Sequence, residues 1–368
     1  MPVRVLINAL HAKSGGGVTY LRNLLPRFGA DPDLEVHLCL HEDQLAAFPE
    51  PADGVRMHSV RFRDGFTRRL VWEQTGLLLL AKRIGAEVTY SPANFGPLLV
   101  PAPVILLRNA VAVGESEKRL SKRLYWKVLG AMTWVSLLRC RRAIAVSDYA
   151  RDALTRRLPS AVARRVEVIH HGVDPLFSPP PLGQGREDFV LAVSDLYIQK
   201  NLHRLLDAFA IVRRDFPGIS LRIAGGAIDA DYAQSLHRTV AERGLDGHVR
   251  FLGHVPAHEL ADLYRRCALF VFPSLVETFG NPLVEAMASG APIVSSDATA
   301  MPEVLGDAAL FFDPQDTSAM AERITAALGD TDLRNRLGAR AEDRARHFSW
   351  DETARRTARV IVSCVRTP

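Results

Sequence analysis

Cysteine is scarce in this 368-residue chain, and Cys39, Cys140, Cys267 and Cys364 stand far apart with no Cys-x-x-Cys pair. That scatter argues against a disulfide framework or a thiolate zinc site and for reduced thiols in a cytoplasm. No apolar run approaches the ~20 residues needed to cross a bilayer. The opening, Met1-Pro-Val-Arg-Val-Leu-Ile-Asn8, runs straight into a strand pattern, so no leader peptide is expected. His170 and His171 have no second ligand cluster at metal spacing, and no Asp-x-Asp pair suggests a bound metal. Nothing resembles a nucleic-acid module, so nucleic acid is not an expected partner. The Gly-x-Gly-x-x-Gly fingerprint of dinucleotide binders and its acidic partner are also missing, which sets a dehydrogenase far down the order.

What is present is a large apolar fraction, 48%, in a chain long enough for two ordinary domains. Short apolar runs alternate with helical patterns: Val3–Leu10, Glu35–Leu40, Val55–Val60, Glu87–Tyr90 and Val104–Leu107 in the first half, Phe189–Ser194 onward in the second. Repeated β-α-β order predicts parallel sheets covered on both faces. The Pro- and Gly-rich segment 175–188 reads as a linker between an N-terminal domain, 1–174, and a C-terminal domain, 189–346, with a last helical segment at 347–368. Net charge is +5. It divides unevenly, with 25 Lys/Arg against 16 Asp/Glu through Asp174 and 21 against 25 beyond it. A basic first half suits an acidic partner, such as lipid headgroups or a phosphorylated acceptor.

The stretch Pro273-Ser-Leu-Val-Glu277-Thr-Phe279-Gly280-Asn281-Pro282-Leu283-Val-Glu285-Ala-Met-Ala-Ser-Gly290-Ala-Pro292 carries the most chemistry. The buried-strand run Leu269–Phe272 precedes it, and Leu283–Ser289 reads as a helix with a glycine stop. Asn281 is expected as N-cap and Pro282 at the first helical position. Amides at a helix start attract an anion such as phosphate, and carboxylates accept hydrogen bonds from vicinal hydroxyls. Two glutamates and a helix start therefore suggest a nucleotide-sugar. Lys200-Asn201 before a helix, with Asn201 as its cap, adds a point charge suited to a diphosphate.

In the first half, Gly15, Gly16 and Gly17 lie between a strand and a helix, where a phosphate approach and a plain tight turn are both open. Asn94, after a strand end, is either an acceptor-side contact or a turn former. Arg108-Asn109 ends another strand, and the Arg108 guanidinium could fork onto a phosphate or carboxylate. Segment 115–142 is the most basic: Lys118, Arg119, Lys122, Arg123, Lys127, Arg139, Arg141 and Arg142 flank the run Val128–Leu138. It reads as a core helix with solvated basic ends or as a helix lying in an anionic membrane interface, with Arg68 and Arg69 extending the patch.

The Glu277 to Pro292 stretch resembles the retaining glycosyltransferases of family 4, which have the GT-B fold. Their segment is close to Pro-Ser-x-x-Glu-Gly-Phe-Gly-x-Pro-x-x-Glu-Ala-Met-Ala-x-Gly-x-Pro, and Thr278 stands where glycine is usual. The resemblance runs through most of the chain, including His171-Gly172-Val173-Asp174 at the domain junction. It implies two facing Rossmann-like domains with parallel sheets and a C-terminal helix crossing back to the N-terminal domain. It implies that Glu285 binds the donor ribose, Glu277 lies against the donor sugar and its phosphate, and Lys200 meets the pyrophosphate. Gly15, Gly16, Gly17, Val255, Phe279, Gly280, Asn281, Pro282 and Leu283 complete the implied donor side. Arg108 and Asn109 replace a usual His-Asp, so the histidine's role does not carry over, and Arg108 is kept as a catalytic candidate with Glu277 and Lys200. The usual pyrophosphate arginine has no counterpart, since Asp195 and Gln199 fall where it is found.

The implied activity is transfer of a hexosyl unit, with retention, from a nucleoside-diphosphate sugar such as GDP-mannose or a UDP-hexose to a saccharide or lipid-linked acceptor. A cell-surface polysaccharide route is expected, with no metal or other cofactor. The expected location is the cytoplasm, peripheral to the inner face of the plasma membrane. Rival readings are a nucleotide-sugar epimerase, which needs no acceptor, and a non-catalytic nucleotide-sugar-binding subunit.

Overall fold

A computed structural model of the protein describes residues 1–13, 15–48, 52–63, 65–109, 120–181, 183 and 185–366, apart from the side chains of residues 120–122 and 366. Glu115, Lys118 and Arg119 of the basic segment lie outside the described residues, as does the side chain of Lys122.

Among the described residues thirteen strands form two sheets, and every strand pair is parallel. The first comprises β1 (Val3–Asn8), β2 (Leu34–His41), β3 (Val55–Val60), β4 (Val88–Ser91), β5 (Pro103–Leu107), β6 (Arg142–Ala145) and β7 (Val166–Val168), in the order β3-β2-β1-β4-β5-β6-β7. The second comprises β8 (Glu187–Val193), β9 (Ser220–Ala224), β10 (Val249–Gly253), β11 (Cys267–Phe272), β12 (Ile293–Ser296) and β13 (Ala309–Phe312), in the order β10-β9-β8-β11-β12-β13. The doubly wound α/β expectation holds for both halves. All six residues of β11 are buried, as a strand covered by helices on both faces requires.

In each sheet the chain winds outward and then returns to the other side of its first strand. This makes a switch point at β1/β4 and another at β8/β11. Loops leaving the carboxyl ends of strands there are where ligands bind in open α/β sheets.

The chain divides into two compact units. One holds the first sheet with Leu120–Gly172 and the final helix, Trp350–Arg366; the other holds Val173–Phe348. The final helix contributes Ala354, Ala358 and Ile361 to the core of the first unit, and Trp350 stacks on His171. Gly172 has no room for a side chain, because a Cβ there would lie 2.1 Å from the Trp350 backbone nitrogen. In the second unit the helix Leu202–Asp215 buries Leu202, Leu205, Leu206, Phe209 and Val212, the 3.6-residue stripe that packs on β8 and β9.

The helix Leu120–Arg139 fits the core reading of the basic segment on one side only. Leu124, Val128, Val135 and Leu138 fall on one helical face, and all four are exposed beside Lys127 and Arg139. The opposite side buries Gly130, Thr133 and Leu137. Arg68 is exposed at the start of the helix Phe66–Ile84, whose Phe66 ring lies 5.9 Å from Tyr125. No described helix is long and apolar enough to cross a membrane.

Candidate active site

Lys200 and Glu277 are 77 residues apart in sequence, yet the Lys200 ammonium lies 2.6 Å from Glu277 Oε1. Both side chains keep some solvent contact, 18% and 13%. Lys200 ends a short turn after β8, and Glu277 lies on the loop after β11, so both stand at the switch point of the second sheet. Two fastenings hold them together. Leu275 N–H donates to the Gln199 carbonyl at 2.8 Å. Asn201, fully buried and left-handed at φ 57°, donates its amide to the carbonyls of Pro273 (3.0 Å) and Pro314 (2.7 Å).

Asn201 therefore occupies the cap position before Leu202–Asp215 without capping it, because its side chain makes no bond to the helix's first amides. Sequence reasoning saw the position and missed the job. Asp195, where an arginine was sought, accepts from Gly226 N–H at 2.9 Å and ties two loops. The Gln199 side-chain oxygen is buried with no hydrogen-bond partner among the described residues.

The helix after the loop is Asn281–Ala288, and its start corrects the expected capping by one residue. Gly280 is the cap, left-handed at φ 86°, so Asn281 is the first helical residue and Pro282 the second. A left-handed backbone favours glycine, and a Cβ at Gly280 would crowd the Leu283 side chain at 3.0 Å. Proline remains compatible one position later, where helix N–H groups still lack intrahelical partners. Phe279 and Leu283 are buried, and the Phe279 ring packs edge-on against Phe348 at 5.7 Å. Their side chains set the loop's shape. Val255 is half-buried in the turn after β10.

Glu285 is half-buried one turn into that helix and accepts from the Tyr264 hydroxyl at 3.1 Å. Burial pushes its carboxyl up to about 7, the Tyr264 bond opposes this, and the charge of Asp174 adds to it. Tyr264 gave no signal in the sequence, since a lone tyrosine in an amphipathic helix reads as core. Thr299 was missed as well. Its Oγ1 accepts from Glu277 N–H at 3.0 Å, from a left-handed backbone (φ 56°) that is costly for a β-branched residue.

In the first unit Gly15 is left-handed (φ 57°) and precedes the helix Gly16–Gly29. Gly17 is needed for space, because a Cβ would sit 2.7 Å from Arg108 Nη1. Arg108 thus lies against the glycine loop, and burial lowers its guanidinium from the ordinary arginine value. Asn94 is nearly buried, and Asn94 Oδ1 accepts from the N–H groups of Arg108 and Asn109, each at 2.9 Å, while Nδ2 donates to Asn109 O at 2.7 Å. Both acceptor lone pairs of Asn94 are engaged. Its side chain braces the Arg108–Asn109 turn, 14 and 15 residues further on, rather than forming a turn of its own.

Asp31-Pro-Asp33, Asp229-Ala-Asp231 and Asp330-Thr-Asp332 are Asp-x-Asp pairs after all; in the first, Asp31 Oδ1 accepts from Asp33 N–H at 2.9 Å, and the other two begin helices. Asp229 and Asp330 accept from Tyr232 N–H and Leu333 N–H as caps. No group of three or more His, Cys, Asp or Glu able to hold a metal occurs among the described residues. The four cysteines are buried and unpaired.

Two doubly wound parallel units with polar loops at their switch points define a GT-B architecture. Comparison with known proteins agrees. A sucrose-phosphate synthase from Thermosynechococcus elongatus superposes with a TM-score of 0.79 over 97% of this chain and 98% of its own, at 18% identity. Anabaena HepE, solved in complex with UDP and glucose, superposes at 0.77 over 98% and 100%, at 21% identity. The profile described as "Glycosyltransferase Family 4" matches residues 14–176, and "Glycosyl transferases group 1" matches residues 177–344. The chain belongs to the family 4 glycosyltransferases. O-antigen chain mannosyltransferase B of Escherichia coli is 35% identical over 176 residues, which is 46% of this chain and 45% of that protein's own length.

Proposed function

We propose that this chain transfers a hexosyl unit, with retention, from a nucleoside-diphosphate sugar to a hydroxyl of a saccharide or lipid-linked saccharide. Mannose from GDP-mannose is the first donor to test, given the likeness to an O-antigen mannosyltransferase. The observation that carries the reading is the Lys200–Glu277 pair beside the helix start at Gly280–Asn281, with Glu285 held by Tyr264 within the same unit.

In the reaction the bond from the anomeric carbon to the diphosphate oxygen breaks and a bond to the acceptor oxygen forms on the same face. The acceptor proton passes to the departing phosphate oxygen, so no protein nucleophile is required. Negative charge grows on the leaving diphosphate, and the Lys200 ammonium and the amides of the Asn281 helix start stabilise it. Glu277 orients the donor and supports positive character on the sugar ring. Glu285 in its ionised form accepts from the ribose hydroxyls. Gly15, Gly16 and Gly17 give the phosphates close backbone approach, and Arg108 and Asn109 serve the first unit's side of the reaction. No metal is assigned a role.

The exposed stripe Leu124–Val128–Val135–Leu138, with Lys127 and Arg139, suits contact with an anionic membrane surface. Such contact would place the enzyme peripherally on the cytoplasmic face and bring it to a lipid-linked acceptor of cell-surface polysaccharide.

The test is product formation from GDP-mannose and the common UDP-hexoses with a saccharide acceptor. Proton NMR of the new linkage reads whether the anomeric configuration is kept. Inversion would refute retention, and conversion of the donor without acceptor would favour an epimerase. Co-sedimentation with phosphatidylglycerol vesicles tests the surface, and a Leu124→Glu, Val128→Glu double variant should abolish it.

A further inference from the structure

The first unit carries a polar centre that the donor-side residues do not use. Glu73 sits in the helix Phe66–Ile84 with its side chain 0% exposed. Its Oε1 accepts from Asn8 Nδ2 at 2.5 Å and from His11 Nε2 at 2.9 Å. Its Oε2 is buried with no hydrogen-bond partner among the described residues. Asn8 also reaches Ser91 Oγ at 3.3 Å. Asn8 and Ser91 end β1 and β4, the strands that flank the switch point, and His11 opens the loop that carries Gly15–Gly17. This is the edge of an α/β sheet where ligands bind.

The hydrogen-bond pattern fixes what His11 presents. A carboxylate accepts only, so the imidazole must donate from Nε2, and the neutral ring then keeps its lone pair on Nδ1. The ring retains 18% side-chain exposure and is steadied by edge contact with Phe95, centroids 4.8 Å apart. Among the described residues Nδ1 has no hydrogen-bond partner. A buried acid behind an imidazole, with a basic nitrogen in front, is the division of labour seen in acid–imidazole pairs that meet a substrate hydroxyl. A purely structural role is a poor explanation, because a buried polar cluster with one carboxylate oxygen left unpartnered costs stability that apolar residues of similar volume would not.

We propose that His11 is an acceptor-side contact: its Nδ1 accepts a hydrogen bond from a neutral hydroxyl of the acceptor saccharide, and Glu73 is the positioning residue that sets tautomer and orientation. The lone pair on Nδ1 selects an O–H donor over a phosphate oxygen, so the ligand is a sugar hydroxyl. The proposal rests on the glycosyl-transfer reading above.

The experiment uses the full chain, the nucleotide sugar that supports transfer and a water-soluble mannose-terminated disaccharide as acceptor. His11→Ala and Glu73→Leu should each raise the acceptor KM about tenfold, worth about 1.4 kcal/mol. The donor KM and the thermal shift given by the nucleotide should stay as in wild type. His11→Asn, whose amide oxygen falls near the Nδ1 position, should restore part of the loss. A merely structural pair would move donor and acceptor constants together with stability. In isotope-labelled protein the His11 nitrogen resonances should report the Nε2–H tautomer, lose it in Glu73→Leu, which offers no acceptor, and shift on adding methyl mannoside. An unchanged acceptor KM in folded His11→Ala overturns the proposal, as does an imidazole signal indifferent to saccharide. If wild type transfers from no nucleotide sugar, the glycosyl-transfer reading fails, and the imidazole titration by itself decides the hydroxyl contact.

Discussion

Replacing Glu285 with glutamine should make the ligand-free protein more stable at pH 8 while changing it little at pH 5. The reason is the carboxyl's surroundings: burial raises it from the ordinary 4.5 to about 7, and Asp174 adds to the effect. The folded chain therefore holds this proton to a higher pH than the unfolded chain. Between pH 4.5 and 7 the folded state binds more protons, so this group's contribution to stability falls as pH rises through that window and levels off above it. At about 1.4 kcal/mol per pH unit the full displacement costs roughly 3 kcal/mol. The carboxyl keeps an edge in water, which trims the figure to about 2 kcal/mol. Glutamine can still accept from Tyr264 but cannot ionise.

Urea unfolding of both proteins from pH 5 to pH 8 gives the comparison, and the gap should move by about 2 kcal/mol in the variant's favour. A bound nucleotide should reverse the preference. Ribose hydroxyls donate to the ionised carboxylate, so nucleoside-diphosphate binding near pH 6.5 should release a proton, read by calorimetry in buffers of different ionisation enthalpy. Parallel stability profiles together with no proton release would refute both the perturbed carboxyl and its ribose role.

Glu277→Gln should abolish at least 99% of transfer, roughly 3 kcal/mol of barrier. Because it frees Lys200 from a partly exposed pair worth up to about 1 kcal/mol, nucleoside-diphosphate affinity should hold or tighten as much as about fivefold by titration calorimetry. Gly17→Ala should displace the Arg108 guanidinium and lower kcat about tenfold or more, with little change in Tm, since the clash is with the end of a flexible side chain. Asn201→Ala strands two buried carbonyls and keeps a left-handed backbone without the side chain that suits it. By urea unfolding it should cost about 3 to 7 kcal/mol, at ~1–3 per orphaned group and ~1 for the backbone.

Local pattern carried the parallel sheets, because strands covered on both faces must be apolar throughout and the helices between them show one stripe. It also singled out Glu277 and Glu285, in a distinctive run of proline, glycine and small residues, and Lys200, just before a helical stripe. What it could not carry was partnership. Tyr264 meets Glu285 across 21 residues and Thr299 meets Glu277 across 22. His11 meets Glu73 across 62. Nothing near Glu73 in the helix Phe66–Ile84 marks it as inward-facing, since its neighbours include the exposed Arg68 and Val71. The cap at Gly280 slipped by one because propensity favours asparagine, whereas the required left-handed backbone favours glycine. Asn94 and Asn201 were noticed as turn and cap residues, yet both turned out to be clamps on distant loops or turns.

The break between Phe348 and Ser349 bears on how the protein is made. Among the described residues the second unit is one continuous segment, Val173–Phe348, while the first needs residues from both sides of it. On a translating ribosome the usual order, amino-terminal domain first, is therefore inverted here. The second unit can close as soon as Phe348 has emerged. The first, although begun earlier, waits with the face destined for Ala354, Ala358 and Ile361 uncovered until the helix Trp350–Arg366 arrives. A nascent chain stalled at Phe348 should carry a protease-resistant second unit beside a first unit still open to cleavage.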